Sequence, residues 1–433
     1  MNLINKFDLK STLSNELYLG EKLFLIGIFF LPSALPIGGF FLLSSIFIAF
    51  KKNNENIIKN KWNFLFLITI LLMLLSTFYN YFFNLSRVLE NIDKSIILFN
   101  LFNWIPIYFA FLAFQIYLKT EKQRLLFQKF LISGTIPVLV SCIMHRFLNI
   151  YGPFETLFGT IVWFNYESIL KFDGALSGGV TGLFNNPNYL GMWLTICLPF
   201  SISLLRIEKV NINKLILFII NLLIIYFTIS TNSRNAFLGI LISLIIIFGI
   251  RKIIYFTFLG FLGIFIFNYF LPNLLNINES LLFYKLTDFN PNLNYPRIRI
   301  WGNALYLISQ RPLLGWGAGT LPYLTSYLPP YQNYQHTHNL IIEFAFNFGI
   351  PSAIIIFATI LEMMKTAFKK IKSIKISLDN YKICISFFAS FMVFLIAHLN
   401  DITYYDGKIS IIFSILLAGL KNIIEEKNNF KRI

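Results

Sequence analysis

The sequence predicts an all-α polytopic membrane protein with about 12 transmembrane helices and a large external loop that contains short helices. Of the 433 residues, 56% are hydrophobic and only 13% are charged, and the mean hydropathy is +0.67. Apolar runs long enough to cross a bilayer recur along the chain. Lysine and arginine cluster in every second connection, which is the pattern of a multi-span protein whose basic loops face the cytoplasm. This topology explains the net charge of +16, so we predict no nucleic-acid partner.

The spans follow one another from the N-terminus to the C-terminus. The apolar runs are approximately residues 19–34, 36–50, 62–80, 97–118, 125–144, 187–205, 215–230, 235–250, 253–271, 338–364, 380–399 and 409–420. The basic connections are Lys51–Lys61, Lys119–Lys129, Arg206–Lys214, Arg251–Lys252, Lys365–Lys375 and the tail from Lys421. This alternation predicts that both termini are cytoplasmic.

The first two runs leave an alternative open. Residues 23–50 form either two helices or one long tilted helix. Pro32 and Pro36, followed by Gly38 and Gly39, favour a break between two helices.

The outward connections include two long segments, and we predict a single membrane domain over residues 1–433. One long segment is 145–186. The other is 272–337, the large external loop, which contains a helix-like stretch near Pro296–Gln310.

Arginine is concentrated on the outward side of this topology. Six of the ten outward basic residues are arginine, whereas lysine dominates the cytoplasmic connections. The guanidinium group binds phosphate or carboxylate at two points, so this sorting predicts an anionic ligand. Chance and local salt bridges are the alternative. The ten residues are Arg87, Lys94, Arg146, Lys171, Arg234, Lys285, Arg297, Arg299, Arg311 and Lys408.

Three of these arginines are candidates for binding the ligand. Arg234 follows a very short connection, which holds it near the depth of a lipid phosphate, although it could also be an interfacial anchor. Arg297 and Arg299 open an amphipathic helix together with Trp301. Because they are two residues apart, we expect only one of them to face a given site, and membrane anchoring is the alternative.

Asparagines mark the start of another span. Asn186 and Asn188 flank Pro187 after a glycine-rich stretch. They fit a loop that binds sugar or phosphate, and they equally fit an N-terminal helix cap.

The most specific pattern is His338-Asn339 followed by Gly349 at the start of an apolar run. A histidine at a helix start lies where the macrodipole favours its neutral, proton-accepting form. Glu343, about one turn into the run, could orient this histidine or bind a ligand. His336 is a further candidate for binding substrate, and we expect it to point away from His338. The alternative is a capping role for His338.

These motifs, in this order, resemble the O-antigen ligase/polymerase superfamily of membrane glycosyltransferases. The resemblance implies that His338 is the catalytic base and that Arg234 and Arg299 bind a diphosphate. Arg297, Asn186, Asn188, Asn339, Glu343, His336 and Arg87 are then possible substrate-binding residues. It implies a polyprenyl-diphosphate-linked glycan as donor and a lipid A–core or glycan acceptor, with no metal and no cofactor. The location would be the plasma (inner) membrane, with the active site facing the periplasm. The large external loop, residues 272–337, would lie over this active site.

The sequence leaves the type of activity open. Many ligases have a second glycine where this chain has Ser352, so both an O-antigen ligase and a polymerase fit. A membrane transporter is a further alternative, but a carrier needs polar groups near the bilayer midplane. Here the polar residues gather at one end of the spans, which favours chemistry at the membrane surface.

Overall fold

The computed structural model describes residues 15–52, 59–83, 93–148, 179–255, 296–329, 331–373 and 377–426. Within these ranges the regular structure is helical, without strands. The helices are α1 Asn15–Phe30, α2 Leu35–Lys52, α3 Lys61–Phe82, α4 Ser95–Leu101, α5 Ile105–Phe114, α6 Glu121–Leu148, α7 Pro187–Ile207, α8 Asn211–Ser230, α9 Arg234–Phe248, α10 Pro296–Gln310, α11 Leu321–Thr325, α12 Leu340–Phe348, α13 Ile350–Ser373, α14 Leu378–Ala397 and α15 Gly407–Glu425. Short 3₁₀ turns cover Gln115–Tyr117 and Thr403–Tyr405.

Nine segments of the described ranges are long and apolar enough to cross a membrane. They confirm the all-helical, multi-span prediction. Helices α1 and α9 have 16 and 15 residues and are shorter than these nine segments. The predicted run 253–271 lies almost entirely outside the described residues, so the total of 12 spans stays a prediction. The nine segments are α2, α3, Ser95–Tyr117, α6, α7, α8, α13, α14 and α15.

The predicted break after the first apolar run is confirmed. Helix α1 ends at Phe30 and α2 begins at Leu35, so residues 23–50 are two helices and the single long helix is wrong. The two helices pack closely through glycine. A Cβ atom added to Gly38 would lie 2.8 Å from the backbone nitrogen of Leu31. Such contact allows apolar helices to approach without a large side chain between them.

The centre of the bundle is formed by α7, α14 and α15. About four fifths of each span is buried, with 83% for α7 and 78% for both α14 and α15. Aromatic rings fill the contact between them, and Phe200 meets Phe387 with ring centroids 5.0 Å apart. These buried helices are rigid supports, and the polar loops at their ends are consequently held in fixed positions.

The run predicted over 338–364 is interrupted. Helix α12 begins at Leu340, not at His338, because Asn339 is its N-cap. It ends at Phe348 and is capped by Gly349, whose positive φ of 88° is readily adopted only by glycine, and α13 then begins at Ile350. The predicted helix near Pro296–Gln310 is confirmed as α10. Residues 272–295 of the external loop lie outside the described residues.

Candidate active site

Three successive carbonyl groups at the C-terminal end of α14 accept hydrogen bonds from the two segments that carry Arg234 and His338. The carbonyl of Ala397 accepts from the side chain of Asn235 at 3.4 Å, and that of His398 accepts from the Leu340 N–H at 2.9 Å. The carbonyl of Leu399 accepts from Nδ2 of Asn339 at 2.9 Å. The last carbonyls of a helix lack intrahelical partners, so they can accept hydrogen bonds from neighbouring elements. The start of α9, which carries Arg234, and the segment of His338 are thereby brought to one place.

His338 occupies the position just before the cap of α12. The Asn339 side chain accepts from the N–H groups of Ile341 and Ile342, at 3.0 and 3.1 Å. His338 itself has a positive φ of 55°, in the left-handed region. Side-chain-bearing residues seldom adopt this conformation, and it concentrates at functional sites. The strained backbone therefore marks His338 as a candidate functional residue.

Asp401 is the partner of His338. Its Oδ1 lies 2.9 Å from Nδ1 of His338 and accepts from the Ile402 N–H at 3.0 Å. Its Oδ2 accepts from Nδ2 of Asn188 at 3.0 Å. Both carboxylate oxygens are therefore engaged, and the imidazole is held in one orientation. From the sequence, the stretch His398-Leu399-Asn400-Asp401 at the outward end of the next span could face the same cavity as His338, but nothing in it identified Asp401 as the partner of His338.

Electrostatics keep Asp401 ionised. Burial by itself would raise the pKa of this carboxyl group, but the hydrogen bond and charge of His338, with the charges of Arg297 and His336, lower the pKa below its ordinary value. An ionised carboxylate can only accept hydrogen bonds, so it selects the tautomer of His338 that carries its proton on Nδ1. The Nε2 atom of His338 is then the proton acceptor.

His336 lies against His338 and does not point away from it as predicted. The two rings are in edge contact, with centroids 4.2 Å apart, and His336 stacks on Tyr405 at 5.9 Å. The expectation is wrong because the chain between the two histidines does not follow helical geometry. Burial lowers the pKa of His336, against the opposing charge of Glu343, and therefore favours its neutral form.

Glu343 is buried and supports residues 336–339, which we call the histidine segment. It is 2% exposed. Its Oε2 accepts from the Thr337 N–H at 2.8 Å, and its Oε1 accepts from the Tyr405 hydroxyl at 2.6 Å. Because these bonds hold the residue between the two histidines, Glu343 positions the segment. Of the two predicted roles, orientation fits these contacts better than ligand binding.

Arg234 is exposed at the first position of α9. The Ser233 side chain caps this helix by accepting from the Ala236 N–H. Arg234 thus stands at a helix N-terminus, where the free N–H groups also favour an anion.

Helix α10 brings its two arginines to the same region. Nε1 of Trp301 donates to the Thr337 carbonyl at 2.8 Å, so the helix is fastened to the histidine segment. Arg297 and Arg299 are exposed near its start. The charge of Arg297 reaches Asp401, as the lowered pKa shows. Arg87 lies outside the described residues.

Asn186 and Asn188 have different contacts, one at the helix cap and one at Asp401. Asn186 caps α7, since its side chain accepts from the Asn188 N–H at 2.8 Å. Asn188 holds Asp401, so it supports the His338–Asp401 pair. A contact of either residue with substrate stays a prediction.

His336, His338 and Asp401 also form a possible metal-ligand group. One ligand atom from each lies within 4.8 Å of the others. A metal ion among them would replace the hydrogen bond between His338 and Asp401. The expectation of no metal came from the resemblance, and geometry alone leaves both arrangements chemically feasible.

Comparison with known proteins gives a family match for residues 219–357, to the family model described as O-Antigen ligase. No curated protein matches the chain significantly. The matched range contains Arg234, Arg297, Arg299 and His338, whereas Asp401 lies beyond it. With the multi-span helical fold, this match supports the resemblance of the chain to the O-antigen ligase/polymerase superfamily.

Proposed function

We propose that this protein is an O-antigen ligase-like glycosyltransferase. It moves a glycan from a polyprenyl-diphosphate carrier to an acceptor hydroxyl group of lipid A–core or of a growing polysaccharide. The family match supports this class of activity. The observation that carries the mechanism is the pairing of His338 with Asp401, because it leaves one imidazole nitrogen free to act as a base.

The proposed reaction is a direct displacement. Nε2 of His338 takes the proton of the acceptor hydroxyl as its oxygen attacks the anomeric carbon. The bond from that carbon to the diphosphate breaks at the same time, so the configuration inverts. The proton remains on His338, and the resulting imidazolium is stabilised by the ionised Asp401 at 2.9 Å.

The arginines would neutralise the negative charge that develops on the diphosphate leaving group. Arg234, at the N-terminus of α9, and Arg299 on α10 are the proposed diphosphate ligands, with Arg297 as a further one. Two guanidinium groups stabilise the developing negative charge as a divalent cation would. This assignment makes the reaction metal-independent.

Polymerase activity is the alternative within the same superfamily. Ser352 does not favour either activity. It is 1% exposed, and its hydroxyl donates to the Phe348 carbonyl across the break between α12 and α13. A transporter is less well supported, since the polar contacts described above gather at one end of α7, α9, α12 and α14.

We propose that the reaction takes place on the outer face of the plasma membrane and that both termini of the chain are cytoplasmic. The whole chain acts as one membrane domain, and residues 272–337 cover the active site. Sorting of lysine and arginine supports this orientation.

Purified variants test the base. We expect His338→Asn to lose about 10²- to 10⁴-fold of the transfer rate from a lipid-linked donor, the usual contribution of a general base. Asparagine tolerates the left-handed backbone of residue 338, so this variant separates lost chemistry from backbone strain better than His338→Ala. Full activity of both variants would remove the base from the mechanism.

His336 and a chelator test for a metal. His336→Phe keeps a ring against His338 and Tyr405 but removes both nitrogens. We expect this variant to retain most activity and the wild-type enzyme to be insensitive to a chelator. Loss of activity in both experiments would instead assign His336, His338 and Asp401 to a metal site.

A further inference from the structure

A lateral groove of about 300 Å³ lies between α2, α5 and α15. Apolar side chains such as Ile46 and Ala110 line most of it. Its rim includes Leu43 and Phe102, which are 67% and 72% exposed. On a membrane-spanning face such side chains meet lipid, so the groove opens sideways to the bilayer.

The groove lies in the outer half of the membrane on the predicted topology. Its wall on α2 extends from Gly39 to Ile46, which is about 10 Å of helix at 1.5 Å per residue. Half of a hydrocarbon core is about 15 Å thick. The basic end of α2, Lys51–Lys52, lies at the opposite, cytoplasmic side.

The upper end of the groove adjoins the candidate active site. Tyr404 and Tyr405 line that end. The Tyr405 hydroxyl donates to Glu343 at 2.6 Å, and its ring stacks on His336 at 5.9 Å. Tyr405 therefore connects this end of the groove with the residues around His336 and His338.

The geometry of the displacement indicates which of the two substrates, the acceptor or the diphosphate donor, the groove serves. In a direct displacement, the hydroxyl that loses its proton lies beside the base, and the leaving group departs on the opposite side of the reacting carbon. Arg234 begins α9, which packs against α7, α8 and α14. The groove is formed by a different set of helices and meets the site at the histidines, so it serves the nucleophile and not the diphosphate.

We infer that the groove between α2, α5 and α15 binds the apolar chain of a lipid-borne acceptor and so delivers its hydroxyl group to His338. This inference rests on the proposed glycosyltransferase function. The acceptor chain is already surrounded by lipid, so the groove gains packing contacts but little hydrophobic free energy. Its effect on acceptor affinity is therefore modest, about tenfold in KM, which corresponds to about 1.4 kcal/mol.

Filling the groove tests the inference. Gly39 is suited to this, because a Cβ atom added there meets nothing within 4 Å. Gly39→Phe therefore places a ring in the groove without disturbing the helix packing. Phe47→Trp is the matched control, since Phe47 is 73% exposed on the same helix and does not line the groove.

The assay compares a lipid A–core acceptor that carries its acyl chains with the same acceptor after complete deacylation. We expect Gly39→Phe to raise KM for the acylated acceptor about tenfold, with unchanged kcat, unchanged donor KM and unchanged KM for the deacylated acceptor. Phe47→Trp should match the wild type throughout, and equal elution of all variants in size-exclusion chromatography confirms folding.

Two results overturn the inference. An unchanged KM for the acylated acceptor in Gly39→Phe shows that the groove does not bind it. A raised KM for the donor assigns the groove to the polyprenyl chain instead. Failure of the underlying function is distinguishable, because the wild-type protein would then transfer glycan to neither acceptor.

Discussion

Replacement of Asp401 by asparagine is the sharpest test of how the site works. The carboxylate accepts from Nδ1 of His338, from the Ile402 N–H and from the Asn188 side chain, at 2.9, 3.0 and 3.0 Å. The asparagine side chain has nearly the same size as the aspartate it replaces, and Asn188 can rotate its amide to offer its oxygen in return. Asp401→Asn therefore removes the negative charge and leaves the packing intact.

The expected loss of rate in Asp401→Asn follows from the hydrogen bond between His338 and Asp401. A hydrogen bond to a charged group contributes about 1.5–3 kcal/mol. At 1.36 kcal/mol for each factor of ten, its loss lowers the rate about 10- to 160-fold. If the new amide group instead donates to Nδ1 and forces the wrong tautomer of His338, the loss approaches the full contribution of the base, about 10²- to 10⁴-fold.

The assay is a double-mutant cycle on glycan transfer. If Asp401 acts only through His338, Asp401→Asn should cost nothing further in a His338→Asn background. The lowered pKa of Asp401 keeps it ionised from neutral to mildly acidic pH, so the charge that the variant lacks is present in the wild type throughout that range. An equal loss in both backgrounds would refute the positioning role.

Three further predictions address the arginines, the buried glutamate and the topology. Arg234→Lys should lose most transfer activity, because a point charge cannot reproduce a bidentate contact with diphosphate. Glu343→Leu should destabilise the histidine segment by about 1–3 kcal/mol, since it leaves the buried Thr337 N–H without its acceptor; thermal unfolding in detergent measures this. In intact cells a membrane-impermeant thiol reagent should label Asn333→Cys and spare Lys369→Cys.

Each of these predictions has a matched control and a contrary outcome. Arg206→Lys, on the predicted cytoplasmic side, should be fully active, and equal activity of Arg234→Lys would make Arg234 an interfacial anchor. Glu343→Gln keeps an acceptor for Thr337 and should be mild; equal destabilisation by both changes would argue against the proposed support. The native cysteines are buried and should not react, so labelling at position 369 would reverse the predicted sidedness.

The sequence by itself determined the helical class and many local boundaries. Hydrophobic runs have no alternative to helices in a bilayer, because backbone polar groups must be satisfied within the segment. Local signals also located the break between α1 and α2 and the limits of α10, since proline, glycine and apolar spacing act over a few residues. The histidine motif was likewise visible, because polar residues at the start of an apolar run are costly and rare.

Only the tertiary structure decided which polar residues meet. Asp401 and His338 are 63 positions apart, and Asn188 reaches Asp401 across 213 positions. The sequence allowed the stretch His398–Asp401 to face the site, but it did not identify Asp401 as the partner of His338. The left-handed backbone at His338 and the contact of its ring with His336 are likewise features that only the tertiary structure shows. The pattern of spans is set by the transfer of each apolar segment into lipid, which depends on that segment alone. The geometry of the site instead depends on packing between segments that are distant in the chain.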